Sequence, residues 1–88
     1  MARSNIDPSR RALQLIAEGN WNGAHRAVQD DDSPEAAWVH AHLHRVEGDL
    51  SNAEYWYRLA GRLTATGPLD EERQAIARAI QGTAEPGA

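Results

Sequence analysis

The sequence predicts an all-α protein of antiparallel helical hairpins, with two helix-turn-helix repeats followed by a C-terminal helix. Three observations predict this fold. Sixteen of the 88 residues are alanine, the strongest helix former, whereas β-branched residues are scarce. Apolar residues recur at spacings of three and four, as on one face of a helix. Segments rich in glycine, proline or helix-capping residues separate these stretches.

The helix start and stop signals place five helices. Asp7-Pro8 and Ser33-Pro34 each pair a capping residue with a proline at the first helical position, and Ser51 with Glu54 has the spacing of a capping box. The predicted helices cover about 8–18, 21–28, 34–47, 51–62 and 69–81. We expect a flexible N-terminus over 1–6, a single helical-repeat domain over 7–82 and a disordered tail over 83–88.

The composition excludes several classes of protein. There is no cysteine, which rules out disulfides, thiolate metal sites and cysteine nucleophiles. The formal net charge is −4, which disfavours a general nucleic-acid binder. No apolar run approaches the roughly 20 residues that span a bilayer, and the first residues do not resemble a signal peptide. We therefore expect a cytoplasmic protein that binds neither nucleic acid nor membranes.

The two predicted hairpins carry an internal repeat. The segment Glu18–Ala24 aligns with Glu47–Ala53, 29 positions later, with identical Glu, Gly and Ala. Each copy ends one helix, turns on glycine and begins the partner helix with alanine at the point of close contact. The capping signals on either side agree with this interpretation.

The second copy resembles tetratricopeptide and Sel1-like repeats. The residues that carry the resemblance are Gly48, Asp49, Leu50, Ala53, Tyr57 and Ala60. The resemblance implies stacked helical hairpins that bind other proteins. The period of 29 departs from the roughly 34 residues of tetratricopeptide repeats, and Val28 stands where the first copy should have an aromatic residue. Residues 38–62 also resemble a group of short uncharacterised bacterial proteins, which implies a stand-alone bacterial domain without indicating a chemistry.

One flank of the third helix carries possible metal ligands. His40, His44 and Glu47 recur at i, i+4 and i+7, beside an apolar stripe. Two histidines one turn apart and a nearby carboxylate have a spacing that can ligate zinc or another divalent ion. A complete site needs another ligand, and His25 is the only other histidine in a different helix.

A structural role for His40 is the interpretation that we favour over a metal site. The His-Glu-x-x-His order of metalloproteases is absent. We expect His40 to be semi-buried and hydrogen-bonded to Glu47 or to a backbone carbonyl. His42 lies off this flank and is expected to be exposed. We accordingly expect no cofactor, with a divalent metal such as zinc as the alternative.

The opposite face of the third helix indicates an interaction surface. Trp38 lies there with His42 and Arg45, so both faces of this helix require covering layers. The second layer must come from the first hairpin, the last helix or another molecule. Tyr55-Trp56-Tyr57 is the most aromatic stretch of the chain. Because aromatic and arginine side chains are enriched at interface hot spots, we expect a homodimer centred on Trp38 or on Tyr55-Trp56.

These observations together predict a protein–protein interaction module without catalytic activity. Asp30-Asp31-Asp32 lacks the pattern of a calcium loop, and the serines lack the context of a catalytic triad. No glycine-rich loop could cradle a phosphate. The alternative function is a divalent-metal-binding helical domain.

Overall fold

The computed structural model describes residues 6–84 of the chain, with the side chains of 8–80, and contains five α-helices and no strand in this range. The helices are α1 (Ile6–Ala17), α2 (Trp21–Val28), α3 (Pro34–Val46), α4 (Leu50–Ala60) and α5 (Leu69–Ala84). The all-α prediction is confirmed. Within the described residues, no helix has the length and apolar character to cross a membrane. The expected flexible ends, 1–6 and 83–88, fall mostly outside these residues.

The structure confirms the predicted start of α3 but not that of α4. The start of α3 is confirmed, because the Ser33 hydroxyl accepts a hydrogen bond from the backbone N–H of Ala36 at 3.2 Å and Pro34 takes the first position. The capping box at Ser51 is wrong, because Asp49 caps α4 through the backbone N–H of Asn52. Ser51 therefore lies inside α4.

The ends of the last two helices also differ from the prediction. Helix α4 ends at Ala60 rather than near Arg62, because Gly61 adopts the left-handed conformation with φ of 73°. Helix α5 continues through Gly82 to Ala84. Glycine adopts right-handed helical geometry as readily as left-handed, so its presence alone does not end a helix.

The glycine turns of the two aligned segments have the same backbone geometry. Gly19 and Gly48 have φ angles of 79° and 83°, which strongly favour glycine. Their backbone N–H groups donate to the carbonyl oxygens of Ile16 and Arg45, at 2.9 and 3.1 Å. Each pair of helices, α1 with α2 and α3 with α4, is thus joined by a turn of the same type.

The residues that follow the two glycines also match. Asn20 and Asp49 cap α2 and α4, each by accepting a hydrogen bond from the backbone N–H three residues later. Ala24 and Ala53, one turn further along, are both fully buried. Small side chains at these positions let each second helix lie close to its neighbours.

Helix α3 lies at the centre of the fold and packs against all four other helices. Every residue from Ala36 to His44 is buried. A helix that is buried on all sides needs an apolar or hydrogen-bonded residue at every position. In α3 these positions hold apolar residues and three histidines, each of which forms a hydrogen bond through one ring nitrogen.

A buried carboxylate on α5 binds the far face of α3. Glu72 accepts hydrogen bonds from Trp38 Nε1 at 3.0 Å, from His42 Nδ1 at 2.8 Å and from Arg45 Nη1 at 2.9 Å. The hydroxyl of Tyr57 on α4 donates a fourth, short hydrogen bond. These five residues, here called the Glu72 cluster, connect α3, α4 and α5.

The Glu72 cluster keeps the carboxylate ionised. Burial alone raises the pKa of Glu72, but hydrogen bonds from His42, Tyr57, Trp38 and Arg45 outweigh burial and hold the pKa at about 2. For Tyr57, burial and then the hydrogen bond to Glu72 raise the pKa of the phenol. The cluster therefore contains a phenol that stays protonated and a carboxylate that stays charged.

The expectation that His42 is exposed is wrong, because its side chain is 0% exposed and pairs with Glu72. Trp38 is only 8% exposed. The second layer over this face comes from α5 of the same chain, and the Arg62 guanidinium covers the indole at 3.3 Å from the ring centroid. Projection of α3 alone could not show that α5 supplies an acceptor for these donors.

We expect Glu72→Gln to destabilise the protein by roughly 3 kcal/mol, because it removes a buried charge that four donors require. The adjacent Glu71 is exposed, so Glu71→Gln is a matched control and should cost less than about 0.5 kcal/mol. Urea unfolding of both variants measures the difference. Equal costs for the two variants would show that the Glu72 cluster does not hold α5.

The stability of the wild type and that of Glu72→Gln should also differ in their dependence on pH. Folding lowers the pKa of Glu72 from 4.5 to about 2, so its stabilisation is complete above pH 4.5 and is lost as the pH falls towards 2. Between pH 5 and pH 2.5 the wild type should lose roughly 2 kcal/mol more unfolding free energy than Glu72→Gln. Urea titrations at both pH values measure this loss. A difference that does not change with pH would contradict the shifted pKa.

Candidate metal site

Three histidines from two helices meet on the other face of α3. His25 lies on α2, and His40 and His44 lie on α3. Each offers one ring nitrogen, and these three atoms all lie within 4.8 Å of one another. The ring centroids are 4.5 to 5.0 Å apart. These three residues are here called the histidine cluster.

The helices position the three rings by simple geometry. His40 and His44 are one turn apart on α3, so their rings stack at 4.9 Å with an angle of 19° between the planes. His25 lies in the last turn of α2, directly after the fully buried Ala24. The ring of His25 stands edge-on to both other rings, at 80° and 89°.

A hydrogen bond links the cluster across the two helices. His25 Nε2 and His40 Nε2 are 2.7 Å apart, so one of these nitrogens donates to the other. His40 is 4% exposed, and its Nδ1 has no hydrogen-bond partner among the described residues. Burial, together with repulsion from His25 and His44, lowers the pKa of His40 to about 3. His40 is therefore neutral at physiological pH and retains a lone pair for a ligand.

An aromatic side chain forms one wall of the cluster. Trp56 of α4 stacks on His40 with centroids 3.8 Å apart and an angle of 14°. Tyr55 packs edge-on against Trp56 at 5.3 Å and is half-exposed. Trp56, which the sequence suggested as an interaction residue, thus lies against the histidines, whereas Tyr55 lies at the surface.

Glu47 lies beside the cluster, at its solvent edge. One carboxylate oxygen is 3.3 Å from His44 Nδ1 and the other is 4.0 Å from His25 Nδ1. The structure therefore brings the predicted His40, His44 and Glu47 together and adds His25 to them. The expected hydrogen bond from His40 to Glu47 or to a backbone carbonyl is replaced by the bond to His25.

Sequence reasoning did not place His25 in the site. The only signal was that His25 is the one histidine on a helix other than α3. Its distance from His40 depends on how α2 docks on α3, and spacing along the chain does not determine that docking. The Glu72 cluster was also missed; its acceptor lies on α5 and three of its donors lie on α3.

Comparison with known proteins found no relative of this chain. No family model, no curated protein and no solved structure matches the chain. The chemistry of the site therefore rests on its own residues.

Proposed function

We propose that this protein binds a divalent transition-metal ion through His25, His40 and His44. The observation that carries the proposal is the convergence of three imidazole nitrogens, from two helices, within 4.8 Å of one another. A buried, neutral His40 supports it, because only an unprotonated imidazole ligates a metal.

The spacing of the rings suits an ion after small side-chain movements. Zinc binds histidine nitrogen at roughly 2.0–2.1 Å, so two ligands of a tetrahedral ion lie about 3.4 Å apart. One pair of ring nitrogens, His25 Nε2 and His40 Nε2, is 2.7 Å apart, and the outer limit of the group is 4.8 Å. These values bracket the required distance, so binding an ion would need only adjustments of about 1 Å in the positions of the ring nitrogens.

The ligand type favours one class of ion. Imidazole suits zinc, cobalt, nickel and copper, whereas magnesium and calcium prefer oxygen ligands. The chain has no cysteine, so no thiolate competes for a softer ion. The order of affinity should follow the general series for nitrogen ligands, with copper and zinc above cobalt and cobalt above manganese.

We also propose a more specific fold than all-α. In it, α1–α2 and α3–α4 form two antiparallel hairpins of a tetratricopeptide-like repeat. The matching geometry at Gly19 and Gly48 supports this assignment, as do the buried Ala24 and Ala53. In this arrangement the histidine cluster joins the second helix of one repeat to the first helix of the next.

We expect zinc to raise the melting temperature of the wild type, because an ion that binds only the folded state stabilises it. At 100 times its dissociation constant the gain is about 2.7 kcal/mol, which corresponds to a shift on the order of 10 °C in a domain of this size. His25→Ala should abolish the shift. Thermal unfolding with and without zinc, followed by addition of a chelator, measures it.

A control variant on the same helix separates ligation from helix stability. Asn22 is exposed on α2, and Asn22→Ala should keep the full zinc-induced shift. A wild type whose melting temperature does not respond to zinc, or an equal response in His25→Ala, would rule out the proposed site.

Self-association through α4 is a second candidate function. Tyr55 and Leu59, one turn apart on α4, are 49% and 47% exposed. Leu63, in the segment after α4, is 94% exposed. Large apolar side chains exposed at a surface favour contact with another molecule, and a second copy of this chain is the partner that we propose. Trp38, His42 and Arg45 belong to the Glu72 cluster and take no part in this surface.

The wild type should then have the solution mass of two chains, and Leu59→Arg should have the mass of one. Leu50 is also exposed and lies about 180° around α4 from Leu59, so Leu50→Arg is the matched control and should remain dimeric. Light scattering at micromolar concentration measures all three masses. A monomeric wild type would exclude self-association.

A further inference from the structure

The carboxylate of Glu47 faces the same ring nitrogen of two histidines. Its Oε1 is 3.3 Å from Nδ1 of His44, and its Oε2 is 4.0 Å from Nδ1 of His25. The two histidines come from different helices, so one carboxylate spans the junction of α2 and α3. A carboxylate in this place favours a proton on each Nδ1, which leaves each Nε2 with its lone pair.

The Nε2 atoms consequently face away from Glu47. In an imidazole ring the two nitrogens lie on different edges, and Nε2 of His25 already points at His40, 2.7 Å away. An ion held by Nε2 of His25 and of His44 would lie on the side of the rings that is remote from the carboxylate. Metal-binding histidines usually donate a hydrogen bond from the other ring nitrogen to a carboxylate. His44 Nδ1 is within hydrogen-bond distance of Glu47, at 3.3 Å, whereas His25 Nδ1 faces the carboxylate at 4.0 Å without a hydrogen bond.

The number of protein ligands leaves one position open. Each of the described His, Cys, Asp and Glu side chains can offer one ligand atom to an ion. The group in which all of these atoms lie within 4.8 Å of one another consists of the three histidines and does not include Glu47. Zinc and cobalt commonly take four ligands, and a site with three protein ligands takes the fourth from solvent or from a solute. The side chain of His25 is 30% exposed, so the cluster reaches the surface.

We infer that Glu47 is a positioning residue that does not touch the ion, and that the fourth coordination position is open to a small anion. This inference rests on the proposed function and adds to it the class of ligand that the site would accept. A divalent ion held by three neutral imidazoles keeps its full charge, which favours an anionic fourth ligand such as azide or a carboxylate.

Cobalt is the probe for this inference, because its visible absorption reports the ligands around the ion. We expect the full chain to bind one equivalent of Co²⁺. Titration with azide should then shift the visible bands to a new, saturable spectrum. Glu47→Gln should weaken Co²⁺ binding by roughly 10–100-fold, yet keep the wild-type spectrum and the azide response once saturated with cobalt. Glu54 is exposed on α4, and Glu54→Gln is the control that should leave affinity unchanged.

The outcomes separate this inference from the proposed function. Cobalt binding that needs His25 and His40, with a spectrum insensitive to azide, would preserve the metal site and overturn the open position. A changed cobalt spectrum in Glu47→Gln without azide would show that Glu47 is a ligand and would overturn its positioning role. Absence of cobalt binding in the wild type would overturn both the site and the inference.

Discussion

The carboxylate of Glu72, on α5, accepts hydrogen bonds from four donors, three on α3 and one on α4. Removing a carboxylate from water is costly, and only nearly complete hydrogen bonding compensates for that cost. The bonds are directional, so they fix the rotation of α3 about its axis and the distance of α5 from it. Within the described residues α4 and α5 have no close backbone contact, and the hydroxyl of Tyr57 forms a hydrogen bond between them.

The rotation of α3 matters because this helix presents a different chemistry on each side. His42 faces Glu72, whereas His40 and His44 face α2 and α4. At about 100° per residue, His42 is turned by roughly 200° from His40, while His44 returns to within about 40° of it. The Glu72 cluster on one face thereby sets the direction of the imidazoles on the other. A structural anchor and a candidate ligand site share one helix.

Local signals in the sequence were sufficient for the helices but not for the contacts between them. Ser33-Pro34 and the two glycine turns act within a few residues, so their outcomes follow from backbone chemistry alone. The capping of α4 was misassigned because Asp49 and Ser51, both good capping residues, lie two positions apart. Asp49 directly follows the left-handed Gly48, and the turn places its side chain at the N-terminus of the helix.

A stronger signal for Glu72 was available in the sequence. Ile76 and Ile80 follow it at i+4 and i+8, so Glu72 occupies the apolar stripe of α5, and all three are buried. A carboxylate in an apolar stripe implies buried donors elsewhere, and Trp38, His42 and Arg45 share one face of α3. His25 had no equivalent signal. Its approach to His40 depends on the docking of α2, which is a property of the assembled fold.

The unbroken burial of α3 limits how this protein can change length during evolution. Deleting or inserting one residue inside the helix would turn everything beyond that point by about 100°. Such a change would move His44 away from His40 or Arg45 away from Glu72, and no exposed position in 36–44 could absorb it. Insertions and deletions are therefore better accommodated in the two longer connections that flank the α3–α4 pair, at 29–33 and 61–68, while the length of the central helix stays fixed.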